Sequence, residues 1–333
     1  YDITSYGADF LVDGLVRRLR SGDIYIPHFQ RKFVWNLRQS SRFIESLLLG
    51  LPVPGIFLSK DYDTEKLFVI DGQQRLKTLL YFYEGIFEPS SREFALRGVQ
   101  KTLEGLTYRS LKDEDRRRLD DSIIHATIVR QDSPPEDDSS IYYIFERINT
   151  GGTPLSAQEI RASVYHGEFS DLLKKLNTYG PWREVFGPPH KRMKDQELIL
   201  RFFAFYYYAD EYQRPLKEFL NRYMAKNRHL ESQTEDELSR VFSMTTSFIN
   251  KVLGNKAFRP ERALNAAVFD SVMVAVTQRL AKGGIQKEKQ FHAAYDELLS
   301  DEVFRDAVMT GTSDEKKVRT RMELARQAFS GVE

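Results

Sequence analysis

The clearest change of hydrophobic pattern along the chain lies at residues 67–80, LFVIDGQQRLKTLL. Four consecutive apolar residues over 67–70 indicate a short buried strand, since two of them are β-branched and one is aromatic. Apolar residues then recur at helical spacing; they are Leu76, Leu79, Leu80 and Tyr83. The pattern therefore predicts a strand, a turn at residues 71–72 and an amphipathic helix whose first turn holds residues 73–75.

The first 165 residues mix short strand-like runs with helices. Predicted helices cover residues 11–19, 40–50 and 141–149. Residues 51–60 are predicted to form a turn that leads into a strand, and further strands are predicted over 66–71 and 125–130. The first two of these strands are close enough in sequence to pair as a hairpin. We expect the helix at 40–50 to be opened by one of the two serines at its start.

From residue 166 onward the pattern is helical throughout. Successive helical stretches cover residues 195–210, 234–253, 263–281 and 287–300. We therefore predict an α+β chain, with a small mixed domain over 1–165 and an all-helical domain over 166–333. A chain of 333 residues is long enough for two such domains.

Composition narrows the class of protein. The formal net charge is +1, so any basic surface must be local. No cysteine is present, which excludes disulfides, thiol catalysis and cysteine-bound metal centres and fits a reducing cytoplasm. No apolar run approaches the roughly 20 residues that cross a bilayer, so no membrane partner is expected. Because the first residue is Tyr1 and not methionine, we expect the native N-terminus to lie upstream.

The polar residues between the strand at 67–70 and the following helix suit a phosphate ligand. A helix N-terminus offers backbone N–H groups and the positive end of the helix dipole, both of which favour anions. Gly72 permits close backbone approach, and the Arg75 guanidinium pairs well with phosphate oxygens. Glutamines at 73 and 74 can orient a water molecule or a base, and Asp71 can hold Mg²⁺. The alternative is that Asp71 only caps the helix, with the glutamines and Arg75 solvated.

A second candidate stretch is IPHFQRKFVW, residues 26–35. It interleaves Gln30, Arg31 and Lys32 with aromatic side chains, an arrangement that suits phosphate pairing and base stacking. The alternative is that its aromatic residues pack in the core while its charges face water.

A third candidate stretch is FERINTGGTPLSAQEIR, which starts at residue 145. Glu146, Arg147 and Asn149 line the same site only if the fold brings them to the turn. The adjacent glycines can cradle phosphate, but an ordinary turn between helices explains them as well. Ser156 and Glu159 fit a capping box at the start of the next helix.

Several known catalytic signatures are absent from the sequence. It has no G-x-x-x-x-G-K-[ST] phosphate-binding loop and no H-E-x-x-H zinc motif, and its six histidines are scattered. An independent nuclease centre is not visible either.

Three stretches coincide, in order, with the signature blocks of a known family: IPHFQRKFVWN, FVIDGQQRLKTLL and FERINTGGTPLSAQEI. They resemble the DGQQR family, which includes the N-terminal part of GmrSD-type modification-dependent restriction enzymes and of SspE phage-defence effectors. The resemblance implies a ParB/sulfiredoxin-like α+β core followed by a helical extension. It also implies nucleotide binding and hydrolysis centred on residues 71–75.

The resemblance also implies roles for individual residues. The implied catalytic residues are Asp71, Gln73, Gln74 and Arg75. The implied nucleotide-binding residues are Gln30, Arg31, Gly72, Arg147 and Asn149. Asp71 and Glu146 are the candidate Mg²⁺ ligands. Unlike the restriction enzymes, the chain shows no histidine-type nuclease domain, so a separate nuclease subunit is a candidate partner.

Basic residues concentrate in two stretches of the helical half, 181–195 and 214–229. The candidate DNA-binding residues among them are Lys191, Arg192, Lys194 and Arg222. Such local basic density can neutralise phosphates of DNA. The alternative is a solvated helix face whose charges are balanced by acidic residues elsewhere in the fold.

The sequence therefore predicts an NTP-binding and NTP-hydrolysing, Mg²⁺-dependent component of a bacterial or phage-related defence system that acts on DNA. One alternative is a DNA-sensing or partner-recruiting module that does not hydrolyse nucleotide. Another is a ParB-like nuclease in its own right. Any of the three is compatible with a homo-oligomer.

If Arg75 only binds phosphate, Arg75→Ala is expected to abolish NTP turnover with little effect on the melting temperature.

Overall fold

In the computed structural model, the change of pattern along the chain appears as two units, Tyr1–Leu155 and Ser156–Glu333. The structure describes residues 2–26, 33–61, 64–133, 139–148 and 155–333. Within these residues, all strands belong to the first unit and the second unit is helical. The predicted α+β class with an all-helical C-terminal region is therefore confirmed, and the likeness to ParB and sulfiredoxin stays a prediction. The units divide at 155/156, whereas the sequence pattern changes at 165/166.

The first unit is built around a five-stranded mixed sheet in the order β1-β7-β3-β4-β2. The strands of the described residues are β1 (Asp2–Leu11), β2 (Ile24–Tyr25), β3 (Ile56–Lys60), β4 (Leu67–Asp71), β5 (Ile86–Phe87), β6 (Arg92–Glu93) and β7 (Ile123–Ser133). β3 pairs with β4 as an antiparallel hairpin and with β7 in parallel, while β2 runs parallel to β4. β5 and β6 form a separate two-stranded sheet.

Helices cover both faces of this sheet. They are α1 (Val12–Ser21), α2 (Leu37–Leu48), α3 (Gln73–Glu84), α4 (Asp113–Asp120) and α5 (Ser139–Ile148). α1 to α4 contact one another, and Leu67 and Val69 of β4 belong to the core on their side of the sheet. Phe68 and Ile70 point to the opposite face and are also buried, and α5 contacts both β4 and β7. Burial on both faces explains why β4 is a continuous apolar run.

The second unit packs its helices around one central helix. Its helices are α6 (Ala157–Val164), α7 (Glu168–Leu176), α8 (Gly180–Phe186), α9 (Lys194–Tyr208), α10 (Leu216–Lys226), α11 (Glu235–Leu253), α12 (Ala266–Leu280), α13 (Glu288–Ser300), α14 (Glu302–Met309) and α15 (Glu315–Ser330). Every residue of α12 from Ala267 to Thr277 is buried, and this helix contacts α9, α11 and α15. A helix that is apolar all round belongs at the centre of a bundle.

Two local expectations differ from the structure. α2 begins at Leu37 and not at Ser40 or Ser41, because Asn36 and Gln39 form a capping box four residues earlier than predicted. The ten-residue strand β1 was not predicted, because most of its side chains are exposed and its pattern does not alternate. Across the described ranges, no helix combines the length and the apolar character needed to cross a membrane.

Candidate functional site

The stretch D-G-Q-Q-R forms the turn between β4 and α3, and residues 71–75 are called the DGQQR turn below. Gly72 is the N-cap of α3 and has a left-handed backbone, with φ of 104°. A Cβ atom on Gly72 would lie 2.4 Å from Cγ2 of Ile56, at the start of β3. The glycine is therefore required by its backbone conformation and by the packing of β3 against the turn.

The start of α3 has features that favour an anion. No side chain caps it, and its first turn contains no acidic residue. By contrast, α2 and α6 each begin with a complete capping box. Uncapped N–H groups at a helix start, together with the helix dipole, favour a negatively charged partner.

Arg75 is held on the inner side of the turn. Its Nη2 donates to Oδ2 of Asp71 at 2.8 Å and to the carbonyl oxygen of Gly55 at 2.9 Å. The Arg75 side chain is only 14% exposed, whereas that of Asp71 is 48% exposed. Nε of Arg75 is buried and has no hydrogen-bond partner among the described residues. Arg75 thus links the end of β4 to the residue before β3, and its burial and two hydrogen bonds argue against a purely solvated side chain.

Gln74 joins the first two candidate stretches. Its Oε1 accepts hydrogen bonds from the backbone N–H groups of Val34, at 2.9 Å, and of Trp35, at 3.2 Å. The backbone at Val34 and Trp35, three and four residues after Arg31, is therefore hydrogen-bonded to the DGQQR turn. Gln30 and Arg31 themselves lie outside the described residues, so their contacts stay predictions.

The two described aromatic residues beyond Arg31 pack inside the first unit. The ring of Phe33 lies 5.2 Å from that of Tyr81, and the ring of Trp35 lies 5.7 Å from that of Phe43. Both residues pack against the core of this unit. Core packing, the alternative weighed for this stretch, accounts for these two rings.

Lys77 is a candidate site residue that the sequence reasoning missed. It lies on α3, three and four residues after the two glutamines, and side chains on a helix lean toward its N-terminus. Burial lowers the pKa of the Lys77 amine. No ion pair links Lys77 to another described residue. The available signal was its i+3 and i+4 spacing from Gln74 and Gln73.

The third candidate stretch is only partly described. Glu146 and Arg147 are exposed near the end of α5, the helix that contacts β4. Asn149 lies outside the described residues. Within the described ranges, no group of three or more histidine, aspartate or glutamate side chains is arranged to hold a metal ion. Asp71 and Glu146 therefore stay predicted ligands.

The four candidate DNA-binding residues do not form one cluster. Nε of Arg192 donates to Glu159 at 2.8 Å, next to the capping box that Ser156 and Glu159 form as predicted. The other three are exposed and have no ion pair with described residues; they are Lys191, Lys194 and Arg222. Lys194 starts α9, and Arg222 lines a cleft with Tyr208 at the other end of α9, about 20 Å along its axis.

Fold and site together define an α+β domain with a polar strand-to-helix turn, followed by a helical unit. Residues 12–166 match the family model described as the GmrSD restriction endonuclease N-terminal domain. The match confirms the resemblance predicted from the sequence blocks and covers the DGQQR turn and its neighbours. It supports a relation of this chain to restriction systems.

A curated relative extends the comparison over a shorter stretch. The chain is 29% identical over 111 residues to the uncharacterized protein MJ0686 of Methanocaldococcus jannaschii. This alignment covers 26% of the chain and 18% of the relative. The match thus spans less than a fifth of the length of that relative.

Proposed function

We propose that the chain binds a nucleoside triphosphate at the DGQQR turn and hydrolyses it, as a component of a restriction system that acts on DNA. The observation that carries the proposal is the double hydrogen bond from the Val34 and Trp35 amides to Gln74. It brings the polypeptide that follows Gln30 and Arg31 to an uncapped helix start. The described end of the second candidate stretch, residues 33–35, thus lies beside the DGQQR turn.

The residues around the turn provide donors for phosphate oxygens. The start of α3 offers backbone N–H groups, and Lys77 is a half-buried amine without an ion pair to a described residue. The Nε of Arg75 is not used by the contacts with Asp71 and Gly55, but it is buried and would reach a phosphate only after the side chain rearranges. Gln74 would orient a water molecule or a base, whereas Gln73, the other predicted residue for this role, is buried in the first turn of α3. Phosphoryl transfer needs mainly positioning and charge neutralisation, which such a set supplies.

The donor set also fits Mg²⁺. Oδ2 of Asp71 accepts from Arg75, but no described residue donates to Oδ1, and the carboxylate is about half exposed. Carboxylate oxygens are ligands that Mg²⁺ prefers, together with water and phosphate. Asp71 would hold the ion, with Glu146 of α5 as the second predicted ligand. The metal, when bound, would neutralise phosphate charge.

The DNA-related part of the proposal rests on the family match. Residues 12–166 match a domain described as part of a restriction endonuclease, a class of enzyme whose substrate is DNA. The exposed cations of the second unit, Lys191, Lys194 and Arg222, are candidates for contacts with phosphates of DNA. A nuclease subunit on another chain is the proposed partner.

One observation favours a second candidate function, nucleotide binding without hydrolysis. Asp71 and Arg75 neutralise each other through an ion pair of 2.8 Å, and Nη2 of Arg75 is also held by Gly55. If this pair persists when nucleotide binds, neither residue is free to assist the reaction. The chain would then act as a nucleotide-responsive module.

The two functions are separated by measuring phosphate release from each of the four NTPs with Mg²⁺. The test variant is Arg75→Lys, which keeps the positive charge but loses the planar fork. The matched control is Arg17→Lys, because Arg17 and Asp13 form another i,i+4 pair, on α1.

We expect wild type and the control to release phosphate at equal rates, and Arg75→Lys to be slowed at least tenfold, on the order of the loss of one bidentate contact. Nucleotide binding without phosphate release would establish the second candidate. The absence of binding for all four nucleotides would contradict both candidates.

A further inference from the structure

The second unit has a cleft between α12 and α15 that differs in charge from two other clefts of the same unit. Its walls come from the end of α9, the end of α12 and the last turns of α15, and its volume is about 340 Å³. We call it the α12–α15 cleft. The lining residues that matter below are Tyr206, Gln278, Arg279, Lys282 and Arg326. Its size falls within the range of ligand pockets, about 300–1,000 Å³.

Three cations line this cleft, and no carboxylate lines it. Two other clefts of the same unit contain acidic residues beside their cations. The cleft at Tyr208 has Glu211 beside Arg222 and Lys226, and the cleft at Phe304 has Glu261 and Asp296 beside Arg305. Like charges that gather in one concavity repel one another unless an anion joins them.

The contacts of the three cations leave donors unused. Arg279 is held by backbone carbonyls, through Nε to Val332 at 2.6 Å and through Nη1 to Gly283 at 2.9 Å. Arg326 donates through Nε to Oε1 of Gln278 at 3.1 Å. No described residue forms an ion pair with Lys282, Arg279 or Arg326. The nearby carboxylate of Glu333 is paired with Lys287.

Part of this charge has a structural explanation. Arg279 lies in the last turn of α12, where a cation stabilises the helix dipole and its guanidinium meets free carbonyl groups. Lys282 lies beyond that helix and Arg326 lies one turn inside the end of α15, and both are exposed. Neither contacts a carbonyl group at a helix end among the described residues, so their position beside Arg279 is not explained by capping.

We infer that the α12–α15 cleft binds phosphodiester groups of a nucleic-acid strand. Guanidinium groups fixed by carbonyl contacts present their remaining N–H donors to phosphate oxygens, and Lys282 adds a mobile charge. The half-buried ring of Tyr206 provides an apolar surface for a sugar of the backbone. The cleft opens to solvent, and its charges come from the last turn of α12, the segment just after it and α15, which suits a continuous backbone. The inference rests on the proposed function in a system that acts on DNA.

The test is binding of a fluorescein-labelled DNA duplex to the full chain, followed by anisotropy at several salt concentrations. The cleft variant is Lys282→Ala with Arg326→Ala. The matched control is Lys175→Ala with Lys251→Ala, which removes the same charge from lysines that pair with Glu235 and Glu288. Because both double variants lose two positive charges, the effect of net charge on DNA binding is the same in both and does not affect their comparison.

We expect the cleft variant to bind DNA on the order of tenfold more weakly than the control, with a salt slope smaller by about two. Equal affinity and slope for the two variants would overturn the inference, as would a wild-type chain that binds no DNA. Competition of pyrophosphate and of NTP with the labelled DNA tests whether the cleft instead binds the phosphates of a small molecule. If the cleft variant loses binding of these compounds but keeps DNA binding, the nucleic-acid assignment is wrong. NTP turnover by the wild type is measured in a separate assay. A wild type that binds DNA but hydrolyses no NTP would contradict hydrolysis at the DGQQR turn without contradicting the inference about the cleft.

Discussion

Arginine–aspartate pairs in the two units have opposite environments. In the helical unit, both oxygens of Asp270 accept hydrogen bonds from Arg201, and Oδ2 also accepts one from Arg321. Asp270 is 0% exposed. At the DGQQR turn, only Oδ2 of Asp71 accepts from Arg75, and the carboxylate is about half exposed. The same residue types form a buried network that uses both carboxylate oxygens in one unit, and a partly exposed pair that uses one carboxylate oxygen in the other.

The difference in exposure distinguishes charged residues that stabilise the core from charged residues that are candidates for binding a ligand. A buried ion pair is maintained because the loss of one partner leaves an uncompensated charge in the core. The Asp71 carboxylate is about half exposed, so its second oxygen is available to a ligand, whereas the mostly buried Arg75 must rearrange before its guanidinium can bind one. Buried arginines elsewhere in the second unit follow the first pattern: Arg161 is bound by Asn221, Gln158 and Glu197. The following predictions test this contrast.

The largest effect is expected from Asp270→Asn. The variant leaves Arg201 and Arg321 in the core without a carboxylate, and we expect the free energy of unfolding to fall by about 3–5 kcal/mol. Trp182 is buried in the same unit, so urea unfolding is followed by its fluorescence in a Trp35→Phe background. Asp296→Asn, an exposed acid paired with His292, is the control, and we expect a change within about 0.5 kcal/mol. Equal losses for the two variants would remove the distinction.

The next effect concerns the glycine of the turn. Gly72→Ala places a Cβ in a left-handed backbone, 2.4 Å from Cγ2 of Ile56. We expect a loss of about 2–4 kcal/mol from backbone strain and overpacking. A double-mutant cycle with Ile56→Ala tests the packing part: the loss from Gly72→Ala should be smaller in the Ile56→Ala background than in the wild type. Thermal unfolding of both single variants and the double variant measures the cycle, and equal losses in the two backgrounds would show that backbone strain alone explains the glycine.

A smaller effect distinguishes two roles of Gln74. Gln74→Ala removes the acceptor of the Val34 and Trp35 amides, and we expect a loss of about 1–3 kcal/mol. Gln74→Glu keeps an acceptor oxygen, so we expect its stability to stay within about 0.5 kcal/mol of the wild type. Hydrogen exchange at the two amides reports the contact directly. Equal protection in the wild type and in Gln74→Ala would show that the hydrogen bonds contribute nothing.

The smallest effect is expected at Arg75. Its bonds to Asp71 and Gly55 indicate that Arg75→Ala lowers stability by about 1–2 kcal/mol, since solvent at Asp71 weakens the pair. These contacts revise the expectation from sequence that the melting temperature would barely change. Arg17→Ala, from the exposed pair on α1, is expected to change stability by less than about 0.5 kcal/mol. A melting temperature equal to that of the wild type would favour the earlier expectation.

The local part of the fold could be predicted from sequence because its signals are local. β4, the turn at Gly72 and α3 follow from one run of apolar residues and one helical stripe. The start of α2 was misplaced because Asn36 and Gln39, which form the cap, were not recognised as a pair. β1 was missed because its stability comes from pairing with β7, more than a hundred residues away. Such pairing leaves no periodic signal in an exposed strand.

In the candidate site, too, the local residues could be predicted from sequence and their distant partners could not. Asp71, Gln74 and Arg75 could be selected because a polar turn between two apolar elements is visible in the sequence. Their partners could not, since Gly55 lies 20 residues from Arg75 and Val34 lies 40 residues from Gln74. The contacts by which Arg75 links two strands become apparent only with these partners, and its role toward a ligand stays a proposal.

The most direct test of the account is calorimetric binding of a non-hydrolysable nucleoside triphosphate with Mg²⁺ to the wild type and to Gln74→Glu. If phosphate lies at the start of α3, the added carboxylate repels it, and we expect the affinity to fall on the order of tenfold while the fold stays stable. The same affinity for both proteins, or no heat of binding with the wild type for any nucleotide, would contradict the assignment of the DGQQR turn as a nucleotide site.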